Sequence, residues 1–171
     1  GLSELAGMIG DPQVRARGTI GGSVANNDPA ADYPAAVLGL NATIKTQKRE
    51  IVADDFFLGM FSTALASDEI IEGLRFNKPL KSAYAKFRHA ATGYAMAGVF
   101  VAQISKDQWR VAVTGATDCV CRWQEAEAAA GTVPKDLRFA HDNVLDDIHA
   151  PAAYRTHLVH ILYAQAVSHL A

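Results

Sequence analysis

Val14-Arg15-Ala16-Arg17-Gly18-Thr19-Ile20-Gly21-Gly22-Ser23-Val24-Ala25-Asn26, continued by Asp28-Pro29-Ala30-Ala31-Asp32-Tyr33-Pro34, is the stretch on which the reading of this chain turns. Two successive glycines admit backbone conformations closed to other residues and remove side chains that would hold a ligand away. The N–H groups around Gly21 and Gly22 can then converge on an anion, as in a backbone nest. Thr19 and Ser23 flank them with hydroxyls. Asp32 would repel a phosphate, but it can accept hydrogen bonds from sugar or ribityl hydroxyls. A phosphate site beside a carboxylate for hydroxyls describes a nucleotide-like ligand. Taken alone, the double glycine reads more simply as a turn or bulge. It has neither the lysine of a P-loop nor the spacing of a Rossmann fingerprint.

Outward from that stretch, the pattern is that of a mixed fold. Leu2 to Ile9 reads as the end of a helix stopped by Gly10-Asp11-Pro12. Asn26-Asn27-Asp28-Pro29 is turn chemistry, with Asp28 able to cap a helix that Pro29 would begin. Ala35 to Leu40 reads as a short buried helix. Ala42 to Gln47 alternates apolar and polar residues as a half-buried strand does, and Glu50-Ile51-Val52 reads as its returning partner. Asp54 or Asp55 is expected to cap a helical turn through Phe56, Phe57 and Leu58. Glu69 to Phe76 reads as another strand.

Asn77-Lys78-Pro79 marks the expected domain boundary, since proline ends strand pairing. Beyond it lie three strands, Ala83 to Arg88, Ala95 to Ile104 and Trp109 to Gly115, the last two joined as a hairpin through Ser105-Lys106-Asp107-Gln108. Helices follow at Arg122 to Ala130 and Ala152 to Leu170. In the second, Tyr154, Leu158, Ile161, Leu162 and Ala166 form the expected packing face. The fold class predicted is α+β: residues 1–77 as mixed strands and short helices, then residues 78–171 as an antiparallel three-stranded sheet with helices on one side.

Composition narrows the function classes. The chain has 171 residues, 50% of them hydrophobic, with 16 basic against 18 acidic side chains. That balance offers no electrostatic footprint for nucleic acid or an anionic membrane. No apolar run is long enough for a transmembrane segment. Gly1-Leu2-Ser3-Glu4-Leu5 lacks the character of a signal peptide. Cys119 and Cys121 are too close for an unstrained disulfide, so free thiols, and with them a cytoplasmic location, are expected. On a strand the two would point the same way. They make no metal set, and neither do His157 and His160. Trp109 and Trp123 read as packing residues.

The extended string closely resembles the second FAD-binding subdomain of the medium, flavin-carrying subunit of molybdenum hydroxylases, the carbon monoxide dehydrogenase and xanthine dehydrogenase families. The likeness continues through Phe56-Phe57-Leu58-Gly59, Thr63-Ala64-Leu65, Asp68-Glu69-Ile70-Ile71, Lys86-Phe87-Arg88, Tyr94-Ala95-Met96-Ala97-Gly98-Val99 and Val113-Thr114-Gly115-Ala116. It reaches Glu125-Ala126-Glu127-Ala128-Ala129 and Ala153-Tyr154-Arg155, and so covers essentially the whole chain.

The resemblance implies that Thr19, Ile20, Gly21, Gly22 and Ser23 meet the FAD pyrophosphate and that Asp32 holds the ribityl chain. It implies that Ile9 and Ile71 lie against the isoalloxazine ring and that Lys86 lies near the flavin. Ordinary core packing stays open for Ile9 and Ile71, a solvated strand position for Lys86, and a helix N-cap for Asp32. No residue is expected to be catalytic, and no metal is expected in this chain. Molybdenum chemistry and the iron–sulfur clusters are implied for a large and a small partner subunit, with this FAD as the electron outlet. The sequence departs from the family at His89, where a second basic residue is common. It also shows no counterpart of the first FAD subdomain before Leu2, so an incomplete FAD site, weak flavin binding and no activity from this chain alone are expected. Two other readings remain open: a docking scaffold without flavin, and a different nucleotide on the same site.

Overall fold

The computed structural model describes residues 1–170. Four short helices open the chain: α1 (Leu2–Gly7), α2 (Pro12–Arg17), α3 (Ile20–Asn26) and α4 (Tyr33–Gly39). Local chemistry sets their limits. Asp11 Oδ1 accepts from the N–H groups of Gln13 and Val14 at 2.7 and 2.9 Å, with Pro12 in the first turn of α2. Asn27, left-handed at φ 46°, closes α3. The Asp28-Pro29 step begins no helix. Asp28 Oδ1 accepts from Ala30 N instead, and α4 starts at Tyr33.

Strands β1 (Thr43–Thr46) and β2 (Glu50–Val52) form a hairpin. A single 3-10 turn, Ala53–Asp55, leads to β3 (Phe57–Gly59), which pairs with β4 (Ser62–Thr63). The helical turn expected through Phe56 to Leu58 is therefore mostly strand. Strand β5 (Ile71–Arg75) returns to pair with β1, giving the antiparallel order β2-β1-β5.

Past Pro79 come β6 (Lys81–Arg88), β7 (Ala95–Ser105) and β8 (Gln108–Thr114), as predicted. A fourth strand, β9 (Cys121–Arg122), pairs with β8 and corrects the three-stranded expectation. At two residues it carries too little alternation to be read locally. Cys119 lies outside it, and the two thiols pack toward different cores. Both are free, and burial pushes Cys121 up to about 11.

Helix α5 (Gln124–Ala128) and the 17-residue α6 (Ala152–Ser168) complete the chain. Val99, Val101, Val111 and Val113 on one sheet face pack against Leu158, Val159, Leu162, Tyr163 and Ala166 of α6. Tyr84, Phe100, Ala102 and Ala112, on the opposite face, pack with Ala35, Val37 and Leu38 of α4 and with Leu5, Ile44 and Phe56. The sheet is thus buried on both faces, and this second core draws residues from both sides of Asn77-Pro79. The face of α6 also differs from its reading. Tyr154 and Ile161 are 42% and 46% exposed, while Arg155, Val159 and Tyr163 are buried.

Glu69 ties the β1–β2 turn to the segment before β5. Its carboxylate, 1% exposed, accepts from Arg49 Nε and Nη2, Thr46 Oγ1 and Ala66 N. These bonds, Arg49's foremost, hold it down at about 2. Between its unfolded value and that figure the unfolded chain binds the extra proton. The stabilisation is therefore complete above the usual glutamate range and is lost as pH falls toward about 2. Thermal melts from roughly pH 5 down to pH 2 should show a shallower decline for Arg49→Met than for the parent chain.

Candidate functional site

One cleft, of about 620 Å³, gathers the stretch that opened the sequence reading. Its walls come from the α1–α2 turn, α2, the start of α3, residues 28–33 and the loop joining β6 to β7. That loop closes tightly on the α1–α2 turn. A Cβ on Gly10 would stand 2.8 Å from Gly93 Cα, and Gly93 itself has φ 73°. Only glycine at both positions permits the approach.

The Thr19-Ile20-Gly21-Gly22 segment is a helix start, which corrects the reading of it as a strained turn or nest. Neither Gly21 nor Gly22 has positive φ; the left-handed glycines are Gly93, Gly115 and Gly131. Thr19 is the N-cap of α3, and its Oγ1 accepts from Gly22 N at 2.9 Å. Ser23 N is bonded to Thr19 O at 3.0 Å. The N–H groups of Ile20 and Gly21, first in the helix, have no intrahelical acceptor. Those two amides, with the hydroxyls of Thr19 and Ser23, are what the segment offers an anion. The glycines matter here for lack of bulk. A Cβ at Gly21 would meet only Ile71, its Cγ2 at 3.8 Å, and one at Gly22 only Thr19 Oγ1, at 3.1 Å.

Of the residues singled out by sequence, Ile9, Thr19, Gly22, Ser23 and Asp32 line the cleft. Ile20 and Ile71 pack instead against the core shared with α4, Ile71 behind Gly21. Lys86 is not a solvated strand residue: its side chain is 1% exposed and its Nζ lies 2.8 Å from Asp32 Oδ2. Asp32 stands at the N-cap position of α4, yet its side chain caps no helical N–H. Both carboxylate oxygens are engaged elsewhere, Oδ1 by the Tyr84 hydroxyl at 2.6 Å and Oδ2 by Lys86. Burial pushes this carboxyl above its usual range, opposed by Lys86 and the two hydrogen bonds.

Residues outside the sequence-based set also line the cleft. Arg15 and Arg17 do so, and neither has an ion-pair partner among the described residues. Their alternation was visible in the sequence, but only the fold of α2 brings both to the cleft. Tyr94 was quoted in the sequence string without a role, and it walls the same space from the β6–β7 loop. His89, the departure from the family pattern, lies at that loop's outer edge, its Nε2 3.3 Å from His149 Nδ1.

Among the described residues no group of three His, Cys, Asp or Glu side chains is placed to hold a metal ion. Among them, too, no helix is long and apolar enough to cross a membrane. The cleft as built suits an extended, phosphate-bearing ligand: arginines and the Thr19 and Ser23 hydroxyls for the anion, a buried carboxylate for hydroxyls, and Ile9 and Tyr94 as apolar surface.

Comparison with known proteins gives the same picture. The family described as the FAD binding domain in molybdopterin dehydrogenase matches residues 1–79. The nicotine 6-hydroxylase medium subunit of Paenarthrobacter nicotinovorans is 34% identical over 182 aligned positions, covering 93% of this chain and 62% of that one. The carbon monoxide dehydrogenase medium chain of Hydrogenophaga pseudoflava is 37% identical over 107 positions, 58% of this chain and 37% of that one. Among solved structures, a chain of the carbon monoxide dehydrogenase from the same organism superposes with a TM-score of 0.82 at 28% identity. It covers 99% of this chain and 66% of that one. A chain of the enzyme from Oligotropha carboxidovorans gives a TM-score of 0.81 at 26% identity, with 98% and 65% coverage. The chain thus spans less than two thirds of these relatives' length.

Proposed function

We propose, from the match of residues 1–79 to the family described as the FAD binding domain in molybdopterin dehydrogenase, that this chain is flavin-holding material of a molybdenum hydroxylase. In this reading residues 1–77 hold the nucleotide and residues 78–171 brace them. A large molybdenum-cofactor subunit and a small iron–sulfur subunit are the partners. Bound FAD would supply the redox chemistry, taking electrons from the complex's other centres and delivering them to an external acceptor.

The chain's own residues bind and orient. The observation that carries the reading is the juxtaposition, in one cleft, of Thr19, Gly22 and Ser23 from the start of α3 with Arg15, Arg17 and the buried Asp32. The amides and the Thr19 and Ser23 hydroxyls meet the pyrophosphate, and the two guanidiniums offset its charge. Asp32 accepts from ribityl hydroxyls, while Ile9 lies toward the ring. A docking scaffold alone would have no use for two arginines, without an ion-pair partner among the described residues, lining the same cleft as the Thr19 and Ser23 hydroxyls.

The test is titration of the chain with FAD, followed by flavin fluorescence. Quenching with half-saturation between about 1 and 100 µM, or roughly 8 to 5.5 kcal/mol, is expected. Gly22→Ala places a methyl at the cleft wall and should weaken binding about tenfold or more. A helix favours alanine over glycine by about 1 kcal/mol, so the variant's melting temperature should hold or rise. An unquenched flavin, or affinity indifferent to Gly22→Ala, counts against the reading.

A further inference from the structure

Tyr84 lies on β6 with its side chain wholly enclosed, on the sheet face that meets α4. Its ring packs on Phe100, 6.3 Å between centroids. A buried phenol needs a hydrogen-bond partner. The Tyr84 hydroxyl donates to Asp32 Oδ1 at 2.6 Å. Lys86, two residues along and so on the same face, donates to Asp32 Oδ2 at 2.8 Å and to Met8 O at 3.2 Å. One strand thus grips both oxygens of a carboxylate that forms part of the cleft wall. Each carboxylate oxygen has room for a second donor.

The grip has a seat. A Cβ on Gly98, the residue opposite Lys86 on β7, would fall 2.3 Å from the Tyr84 hydroxyl oxygen and 3.0 Å from Thr114 Cγ2. Gly98 is therefore the space the hydroxyl occupies. Next to it, Thr114 Oγ1 donates to Pro29 O and Ala31 O at 3.0 and 2.8 Å, fixing the segment that carries Asp32. The carboxylate is located from two strands at once.

We propose that Tyr84 is a positioning residue of the cleft: seated over Gly98, its hydroxyl fixes the Asp32 carboxylate as the acceptor for hydroxyls of a bound polyol-phosphate ligand. This rests on the flavin reading for the identity of that ligand, the ribityl chain, but not for the grip itself. Charge explains why a grip is needed. Burial favours protonation of Asp32, and a protonated oxygen turns from acceptor to donor. Lys86 and Tyr84 oppose that, with Arg88 further along β6 adding attraction. Tyr94, in the facing loop, is the other titratable neighbour, and its own surroundings include Asp28 and Asp11. Tyr84 stays protonated throughout, since burial and the Asp32 charge lift it well above the usual phenol range.

Tyr84→Phe keeps the ring and removes only the hydroxyl. Two measurements follow on the 171-residue chain. The first is carboxyl carbon NMR without ligand, with the Asp32 signal identified by its absence in Asp32→Asn. Its titration should move to higher pH in Tyr84→Phe. The second is FAD affinity against pH. It should fall about tenfold and decline toward acid from a higher pH than in the parent. Gly98→Ala, which displaces the hydroxyl from the neighbouring strand with the phenol intact, should reproduce both changes. Superimposable titrations and affinity profiles for parent and Tyr84→Phe overturn the proposal. A parent chain that ignores FAD, while the Asp32 titration still moves in Tyr84→Phe, rejects the flavin reading and leaves the grip standing.

Discussion

Replacing Arg155 with methionine is expected to lower the melting temperature by roughly 10 °C. Arg155 is 4% exposed at the N-terminal end of the α6 packing face. Its Nη1 donates to Met96 O and Gly115 O, both at 2.8 Å, and its Nη2 to Asp147 Oδ2 at 2.8 Å. One guanidinium thus ties α6 to the start of β7, the end of β8 and the 147–150 loop. Methionine fills much of the volume but leaves those buried carbonyls without this donor, and each buried polar group so stripped costs about 1–3 kcal/mol. The total is on the order of 3–5 kcal/mol. Asp147 contributes less to the loss, because at 39% exposed it recovers water. Arg155→Lys should recover little, since an ammonium cannot reproduce the planar fork. Differential scanning calorimetry of the parent chain and the two variants decides it. Equal melting temperatures for the parent and Arg155→Met would show that the fork contributes nothing net.

The second large effect is expected at Asn27. It is fully buried, left-handed at φ 46°, and its Nδ2 donates to Gly59 O at 2.7 Å and Ser62 O at 2.9 Å. Phe61 N donates back to Asn27 O at 3.1 Å. A single residue therefore caps α3 and holds the β3–β4 hairpin. Asn27→Leu loses both amide bonds and adds the strain of a branched side chain at positive φ, together about 3–5 kcal/mol. Asn27→Gly relieves the strain and loses only the bonds, so its cost should be smaller by about 1–2 kcal/mol. Urea denaturation ranks the two. Hydrogen exchange should show the amides from Gly59 to Thr63 opening first in both variants, and uniform protection there would contradict the role given to Asn27.

Much of the candidate site was legible because its signals are local. The Thr19-to-Asn26 string and Asp32 suggested a nucleotide-like ligand by residue type and order, and Thr19, Gly22, Ser23, Asn26 and Asp32 line one cleft. The role of the glycines was legible only in part. They do not supply unusual backbone angles; a Cβ at Gly22 would crowd Thr19 Oγ1 in the cleft wall, and one at Gly21 would meet Ile71. That distinction depends on whether a helix begins at Ile20, which residue type does not decide. Tyr84 carried no signal of its own, since a tyrosine on an alternating strand looks like any core residue.

What the sequence by itself determined are features written in nearest-neighbour chemistry. These are the strands β1, β5, β6, β7 and β8 from their periodicity, the helices α4 and α6, and the family string around Gly21-Gly22. The tertiary structure alone decided which of those features meet. Lys86 became a buried partner of Asp32 only when the fold brought β6 beside the residue that precedes α4. The face of α6 turned to include Arg155 and exclude Ile161 because the carbonyls of Met96 and Gly115 were there to receive a guanidinium. Strand β9 formed because β8 offered an unpaired edge. In each case the deciding interaction joins groups distant along the chain, and its strength depends on burial and register that no local pattern encodes.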